Sequence, residues 1–589
     1  MIAHVVPALA LPRSMGIFDY TVPAGVTVAP GDRVRIPFRR RVVLGVVWDV
    51  RPSSSIDPRR LRPLLAETPR APVFSPSHRS YFSWIAERYA VSLGLIVKTA
   101  LAFSAPLNLQ QKIANPQPPR TDIPLQPGQL TLVTFDRYRQ RDAILSTLAT
   151  ASGKRSIALV VPERNRLNAL ATMFPHAVVV HSGLTARQRA ATVNGLPTAR
   201  VIIGTRLLLL TPLPDLGLIV LDDEENEQHK QRDLQPRFTS QALATTWIRQ
   251  QQIPLLALSP APTLATFHTA RTHRGYVHQP ARKPTVQLVV PAQTRKQTAL
   301  EHTLVTFLEN ARRDHARTFV FLNRRGLARR VQCPDCGWIA RCPDCGTALT
   351  QHAEALRCPT CGFTGAAPTH CPDCGSATLR ASVPGTAGLE RIIARRFPGH
   401  VSRLDRDVDQ APAAPILIGT ERALSRLASF APQRAIVLGT DALFSQPSAR
   451  AVERGFQLLR RIAATDTLES MLIETRAPRH ELFQRFASGA VELFLAGEWE
   501  RRRELGLAPA APAVVFEQRR TTDSALPALR AWLTAAGLHP DELRGPLEAY
   551  IGRRKVLRYQ LTGEGAHRIP PTALTALPES WIIDPDPVG

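Results

Sequence analysis

The sequence predicts a multidomain α/β protein in which two doubly wound lobes follow one another along the chain. Short apolar runs alternate with amphipathic helical segments twice, over residues 130–285 and again over 286–475. Such runs are typical of strands that are buried on both faces of a parallel sheet. The length of 589 residues, 44% of them apolar, leaves room for several domains with their own cores.

The segments outside the lobes predict two smaller domains and a linker. Residues 1–105 contain short alternating segments between proline and glycine turns, which indicates a β-rich domain with a helix near residues 78–89. Residues 106–129 contain six prolines and predict a linker. Residues 476–589 combine a helical pattern over 525–536 with strand patterns, so we expect a C-terminal α+β domain there.

The charge of the chain favours a polyanionic partner. There are 74 basic and 48 acidic side chains, a net charge of +26, and only seven of the basic residues are lysines. Nucleic acid is the preferred interpretation, with an anionic membrane surface or mere genome composition as alternatives. The apolar runs are too short to span a membrane, and Pro7 and Pro12 interrupt any signal peptide. We therefore predict a cytoplasmic protein without a membrane partner.

All eight cysteines lie within residues 333–374, in four Cys-Pro-x-Cys-Gly motifs. In a reducing compartment such pairs bind Zn²⁺ rather than form disulfides, and eight thiolates fill two tetrahedral structural sites completely. The spacers of 5, 12 and 9 residues favour a nested pairing. The expected outer site is Cys333, Cys336, Cys371 and Cys374, and the expected inner site is Cys342, Cys345, Cys358 and Cys361.

Further motifs follow one another along nearly the whole chain. They are Phe18-Asp19-Tyr20, Gly31 to Phe38, Leu159 to Glu163, Gly204 to Arg206, Leu218 to Glu225, Phe321 to Gly326 and Ile418 to Thr420. Together with the cysteine insertion, their order resembles the PriA family of replication restart proteins (primosomal protein N′). The resemblance implies two RecA-like lobes, with the insertion in the second. It also implies a winged-helix domain where this chain has only the linker.

The resemblance implies that the N-terminal domain binds the 3′ end of a nascent DNA strand. Phe18, Asp19 and Tyr20 match the segment that lines the family's pocket, and Arg62 lies where the family has a basic residue. An aspartate can accept a bond from a terminal 3′-hydroxyl, and aromatic rings can stack on a base. Ordinary strand packing is the alternative for the two rings. Arg39 replaces a small residue beside the pocket.

A helicase motor needs a glycine-rich loop and a lysine for the nucleotide phosphates. At that place the chain has Leu132 to Arg141, without glycine or lysine. The acidic motif is altered too, and we interpret Asp222, Asp223 and Glu224 as a degenerate nucleotide site. The family's arginine motif aligns with Ala464 to Leu468, where both arginines are lost, and the coupling segment is altered to Ser259 to Pro262. We therefore expect no catalytic residues and no ATP hydrolysis.

These observations predict a replication restart protein that recognises stalled or abandoned replication forks. It would bind forked and single-stranded DNA, promote primosome assembly and reload the replicative helicase, without being a helicase itself. Partners implied by the resemblance are other primosome proteins, the replicative helicase or its loader, and single-stranded-DNA-binding protein. The first alternative is an active ATP-dependent 3′→5′ DNA helicase, and the second is a zinc-dependent RNA-binding factor.

Overall fold

The structure is a computed structural model that describes most of the chain. The residues outside its description are 66–71, 108–120, 152–154, 214, 291–297, 323–329, 334, 337, 344–348, 353–354, 359–362, 383–385, 406–407, 409–413, 445–447, 519–524, 552–553, 571–572, 575 and 588–589. Much of the predicted linker, part of the Phe321 to Gly326 motif, and both Cys345 and Cys361 lie outside the described residues.

The N-terminal domain is a five-stranded sheet that curls towards a barrel. Its strands, in sequence order, are Ile2–Pro7, Phe18–Thr21, Arg33–Phe38, Arg41–Arg51 and Arg62–Pro63. Across the sheet they lie in the order third, fourth, first, second, fifth. The amide of Leu65, just after the fifth strand, donates to the carbonyl of Arg35 in the third at 3.0 Å, which brings the two sheet edges together.

Two helices close this domain against the first lobe. Pro76–Arg88 begins where the Ser75 side chain caps the helix and a proline occupies its first turn. Leu93–Leu101 follows it. The Tyr81 hydroxyl donates to the carbonyl of Leu243 in the first lobe at 3.2 Å, and both residues are buried. The N-terminal domain is thus packed directly onto the lobe.

The first lobe is a seven-stranded parallel sheet. In order across the sheet the strands are Tyr276–Gln279, Leu130–Phe135, Leu255–Ser259, Leu216–Asp222, Ser156–Val160, Val201–Gly204 and Val178–Val180. Its helices are Tyr138–Ala151, Arg164–Met173, Ala186–Gly195, Ser240–Gln251 and Leu264–Thr272. All seven residues of the central strand Leu216–Asp222 are buried, as the continuous apolar run predicts.

The second lobe is a six-stranded parallel sheet. In order across the sheet the strands are Thr285–Val289, Ser470–Glu474, Arg434–Leu438, Thr318–Leu322, Ile416–Gly419 and Val401–Leu404. Its helices are Thr298–Arg313, Thr386–Arg396, Leu427–Phe430, Asp441–Phe444 and Ala451–Ala463. The edge strand Thr285–Val289 carries no long apolar run, and it pairs with a strand that is distant in sequence, so sequence patterning missed it.

The cysteine-rich insertion follows the strand Thr318–Leu322. Its five short antiparallel strands are Arg330–Gln332, Thr350–His352, Ala355–Arg357, Thr364–Ala366 and Arg380–Ser382. The strands Arg330–Gln332 and Arg380–Ser382 pair with each other where the insertion joins the second lobe. The predicted fold class, two parallel lobes with this insertion between two smaller domains, is therefore confirmed.

The C-terminal α+β unit is built on a four-stranded antiparallel sheet. In order across it the strands are Arg544–Ile551, Arg554–Thr562, Ala513–Gln518 and Trp581–Asp584, with the helices Ala525–Ala535 and Glu564–His567. Two preceding helices, Glu481–Ser488 and Val491–Glu504, belong to the core of the lobes instead, because the Phe456 and Phe494 rings stack 3.9 Å apart. Among the described helices, none has the length and apolar character needed to cross a bilayer.

Candidate DNA pocket, cysteine cluster and nucleotide cleft

Phe18 and Tyr20 face the interior of the N-terminal sheet. The Phe18 ring meets the Phe38 ring edge to face, with centroids 5.2 Å apart. The Tyr20 hydroxyl donates to the Pro37 carbonyl at 3.1 Å, and burial raises the pKa of Tyr20 against the opposing effect of Arg62. These rings form an apolar wall next to the hairpin that joins the third and fourth strands.

Arg62 lies beside the same hairpin. It pairs with Tyr20 in the parallel register of the second and fifth strands. Its Nη1 donates to the carbonyl of Arg39 at 3.2 Å, and both arginines are exposed. The structure therefore brings together three of the four residues expected in the 3′-end pocket.

Asp19 points to the opposite face of its strand, because successive side chains in a strand alternate. One carboxylate oxygen accepts a hydrogen bond from the Ser54 hydroxyl, and the other lies 3.3 Å from Nδ1 of His4. Only 12% of the Asp19 side chain is exposed. Sequence reasoning missed both of these neighbours, although His4 pairs with Asp19 in the hairpin register.

The four cysteines of the expected outer site lie together at the base of the insertion. Cys333, Cys336, Cys371 and Cys374 have all their sulfur atoms within 4.8 Å of one another. Two of the Sγ···Sγ distances are 3.6 and 3.5 Å, well above the ~2.05 Å of a disulfide and close to the ~3.8 Å expected for thiolates around tetrahedral Zn²⁺. This group fits a metal ion.

Of the expected inner site, the structure describes Cys342 and Cys358. Both are buried in the small core of the insertion, where Val331, Leu349 and Leu356 surround them. Burial of two cysteines in one small core agrees with a shared site, and Trp338 packs against the same core.

We name the region between the strand Leu130–Phe135 and the helix Tyr138–Ala151 the nucleotide cleft, because a helicase motor would hold the nucleotide phosphates there. In this chain it has no long loop. The strand Leu130–Phe135 is followed after only two residues by the helix Tyr138–Ala151. The free N–H groups at such a helix start are the ones that bind phosphate. Here the amides of Asp136 and Arg137 donate to Oε1 of Gln140 at 3.1 and 2.9 Å.

The second lobe supplies acceptors for the next two amides of this helix. Tyr138 donates to the carbonyl of Ala464 at 3.0 Å, and Arg139 donates to the carboxylate of Asp466 at 2.8 Å. A carboxylate at a helix N-terminus is stabilised by the helix dipole, as an anionic phosphate would be. The segment Ala464 to Leu468 thus occupies the helix start.

Arginines carry further contacts between the lobes. Arg137 is buried and donates to the carbonyls of Ala463, Thr465 and Leu468 in the second lobe. In the opposite direction, Arg460 is paired with the buried carboxylate of Asp136 at 2.9 Å. Each lobe therefore places a buried guanidinium in the other.

The coupling segment Ser259 to Pro262 is held by the helix Ala451–Ala463. Arg460 donates to the carbonyl of Pro260 at 3.1 Å, and Gln457 donates to that of Pro262 at 3.2 Å. The neighbouring amide of Leu264 donates to Glu453 at 3.2 Å. The second lobe therefore holds this segment of the first lobe in place.

Asp222, at the carboxyl end of the central strand, is neutralised by arginines. Its two oxygens lie 3.5 Å from Nε of Arg141 and 2.5 Å from Nε of Arg166. Burial alone would raise its pKa, but the two guanidinium groups outweigh burial and hold the pKa of Asp222 below its usual value. Arg141 also binds Asp223 at 2.6 Å, so guanidinium groups lie where a metal ion would be needed.

Glu224 and Glu225 have different surroundings. Glu224 accepts from the Thr263 amide at 2.9 Å and from the hydroxyls of Thr263 and Thr266, which cap the helix Leu264–Thr272. Glu225 accepts from Ser259 at 2.6 Å, and burial raises the pKa of Glu225 to about 8. Glu224 is therefore a structural residue of the first lobe.

Two parallel α/β lobes contact each other through the helix Tyr138–Ala151, and the second lobe carries the cysteine-rich insertion. Residues 6–102 match the family model of the PriA 3′ DNA-binding domain. The chain is 27% identical over 449 residues to "Replication restart protein PriA" of Synechocystis, which covers 68% of this chain and 54% of that protein.

A second relative is matched over more of its length. "Replication restart protein PriA" of Haemophilus influenzae is 25% identical, with 89% of each chain covered. The similarity to the PriA family that the motifs indicated is therefore confirmed. Among solved structures, RecG bound to a three-way DNA junction is 12% identical, with a TM-score of 0.36 over 64% of this chain and 44% of that one.

Proposed function

We propose that the protein recognises stalled or abandoned replication forks, binds their DNA and promotes primosome assembly and helicase reloading without hydrolysing ATP. The observation that supports the absence of ATP hydrolysis is a nucleotide cleft filled by the chain's own groups. Asp466 and the Gln140 side chain bind the amides that would hold phosphate, and Arg141 and Arg166 bind the carboxylate that would face Mg²⁺.

Loss of the arginine motif supports the absence of ATPase activity independently. An arginine that stabilises the transferring phosphoryl group contributes about 10³–10⁵ to the rate in related motors. In this chain the aligned segment runs from Ala464 to Leu468 and contributes backbone carbonyls and the Asp466 carboxylate. These acceptors would repel a nucleotide phosphate.

The match of residues 6–102 to a 3′ DNA-binding domain supports DNA binding, as does the net charge of +26. Proteins that bind through phosphate contacts recognise shape more than sequence. Forked DNA with a 3′ end, and the single strand beside it, are therefore the proposed ligands. By similarity to the PriA relatives, other primosome proteins, the replicative helicase or its loader, and single-stranded-DNA-binding protein are the proposed protein partners.

Two structural Zn²⁺ ions are proposed for the insertion. Cys333, Cys336, Cys371 and Cys374 would hold one ion, and their sulfur distances support this assignment. The second would be held by Cys342, Cys345, Cys358 and Cys361. Four thiolates complete each coordination sphere, so the metal would fold the insertion and take no part in chemistry.

The test compares DNA binding with ATP hydrolysis on the same substrates. We expect binding of a synthetic fork with a free 3′ end that exceeds binding of the same fork with a 3′-phosphate, and no DNA-stimulated ATPase above background. ATPase equal to that of an active helicase control would favour the alternative of an ATP-dependent 3′→5′ helicase. Tighter binding of duplex RNA than of the fork would favour the zinc-dependent RNA-binding factor.

A further inference from the structure

We propose that four arginines at the edge of the N-terminal sheet bind the phosphates of the last nucleotides of a DNA single strand. Arg39, Arg40, Arg41 and Arg62 form this group, which we name the arginine collar. The inference rests on the proposed function, because it extends the 3′-end pocket to the strand that leads into it.

The collar is joined to the aromatic wall of the pocket. Arg41 pairs with Phe38 at the end of the hairpin, and the Phe38 ring contacts Phe18. From the other side, Arg62 donates to the carbonyl of Arg39. A base that stacks against these rings would therefore have its flanking phosphates near the collar.

The collar has an unbalanced charge. All four arginines are exposed, and no carboxylate of the described residues lies within ion-pair distance of them. Arg51, in the same sheet, is different because its guanidinium binds Asp49 at 2.9 Å. Grouped guanidinium ions repel one another, and a polyanion that displaces their counterions removes this repulsion.

The backbone at Arg39 is strained. Its φ of 54° lies in the left-handed region, which glycine adopts freely and a residue with a Cβ does not. The turn between the third and fourth strands places Arg39 in this conformation, which other non-glycine residues such as Ala90 and Ala431 also adopt. An arginine at this position places a guanidinium beside the pocket, which glycine cannot do.

Phosphodiester groups of single-stranded DNA are the ligand with the matching chemistry. Arginine binds phosphate with paired N–H groups, and aromatic rings accept bases of any sequence. We therefore expect contacts to two or more phosphates immediately 5′ of the terminal nucleotide, with little sequence preference.

The first test replaces the exposed hairpin tip by Arg40→Ser together with Arg41→Ser. The matched control is Arg312→Ser together with Arg313→Ser, which removes two exposed arginines at the end of the helix Thr298–Arg313. Binding of a 5′-labelled single strand with a free 3′-hydroxyl is measured by fluorescence anisotropy over a series of salt concentrations. For the tip variant we expect the slope of log K against log salt to fall by about 1.4, or about 0.7 per lost phosphate contact.

The control variant should leave that slope unchanged. An equal fall in both variants would mean that only the overall field of the protein acts, and it would overturn the collar. Tighter binding of an RNA strand of the same sequence would overturn the assignment to DNA.

The variant Arg39→Gly distinguishes a loss of DNA affinity from a loss of folding stability. Glycine removes the strain, so the melting temperature should stay equal or rise, while affinity for the free-ended strand should fall several-fold. An unchanged affinity contradicts the collar. If the unsubstituted protein does not prefer a free 3′ end, the proposed function is wrong. If that preference is present but all collar variants bind normally, only the collar is wrong.

Discussion

Single arginines determine what the nucleotide cleft can bind. Arg141 and Arg166 neutralise Asp222, and Arg137 and Arg460 cross between the lobes. A buried guanidinium is stable only where its N–H groups and charge are matched by acceptors. Each of these arginines has such acceptors, so the cleft is a filled interior rather than a vacant ligand site.

Arg166→Ala should destabilise the protein by about 3–5 kcal/mol, because the fully buried Asp222 would lose its closest cationic partner. Urea unfolding of the full chain measures this loss. In the double variant with Asp222→Asn, much of the stability should return, since the uncompensated charge is gone. A loss of only about 1 kcal/mol, as for an exposed pair, would contradict the assigned role.

Glu225 should make stability depend on pH. Burial, with the help of Asp223 and against Arg461, raises the pKa of Glu225 to about 8, whereas the ordinary value is 4.5. Between these values the folded state holds a proton that the unfolded state has released, so stability falls as pH rises through this window. The melting temperature of Glu225→Gln, measured from pH 5 to 8.5, should decline less than that of the unsubstituted protein.

The control for this experiment is Glu421→Gln, which removes an exposed carboxylate that also faces Arg461. Its melting temperature should follow that of the unsubstituted protein. Parallel pH profiles for Glu225→Gln and the unsubstituted protein would show that Glu225 does not hold the proton.

The role of Asp19 that the resemblance implies predicts that Asp19→Ala weakens the preference for a free 3′ end and leaves general DNA affinity intact. The position of Asp19 on the strand face opposite Phe18 and Tyr20 predicts no change in that preference. The carboxylate is held by Ser54 and faces His4, so its loss changes one acceptor and not the sheet. Asp49→Ala is a matched control, because Asp49 pairs with His4 from the other side. Equal losses on free and blocked ends would refute the role of Asp19.

At the scale of elements, the helix Tyr138–Ala151 and the cysteine insertion are each fixed by contacts that the chain itself supplies. The helix starts two residues after its strand, and its first amides bind protein acceptors. The insertion forms a separate small core that includes Cys342 and Cys358.

Cys371→Ser should lower the zinc content from two ions per chain to one. A serine hydroxyl replaces one of the four thiolates that lie within 4.8 Å, and it is a poor ligand for Zn²⁺. Elemental analysis of the purified protein measures the ratio. Ser376→Ala, which removes a neighbouring hydroxyl that bonds Asp335, is the control and should retain two ions. Two ions in both variants would contradict the outer site.

At the scale of the whole molecule, ion pairs join the C-terminal domain to the first lobe and to the N-terminal domain. Lys230 of the lobe binds Asp584 at 2.5 Å, and Arg88 of the N-terminal domain binds Asp586 at 2.5 Å. Arg237 binds the buried Glu517 at 2.6 Å. The C-terminal domain is therefore held against both the first lobe and the N-terminal domain.

MgATP should leave the melting temperature of the full chain unchanged. A ligand at 100 times its Kd stabilises the folded state by about 2.7 kcal/mol, so a working nucleotide site would give a clear rise. Differential scanning calorimetry with and without MgATP makes the comparison, and the fork with a free 3′ end is the positive control. A rise with MgATP alone would mean that the cleft still binds nucleotide.

The sequence by itself determined the features that are local in the chain. Buried strands such as Leu216–Asp222 follow from continuous apolar runs, and the cysteine motifs follow from the short spacing of metal ligands. The missing glycine and lysine before Tyr138 also indicated a lost phosphate site. These features can be predicted from the sequence because each depends on residues that lie a few positions apart in the chain.

Only the tertiary structure decided how that site is filled. The carboxylate of Asp466 accepts a hydrogen bond from the amide of Arg139, which is 327 positions away in the sequence. The strand Thr285–Val289 pairs with the strand Ser470–Glu474, near the end of the second lobe in the sequence. Likewise, the resemblance placed Asp19 in one pocket with Tyr20 and Arg62, whereas in the structure Asp19 faces His4 and Ser54 while Tyr20 pairs with Arg62. Such contacts depend on chain reversal and on which faces become buried, and no local pattern in the sequence encodes them.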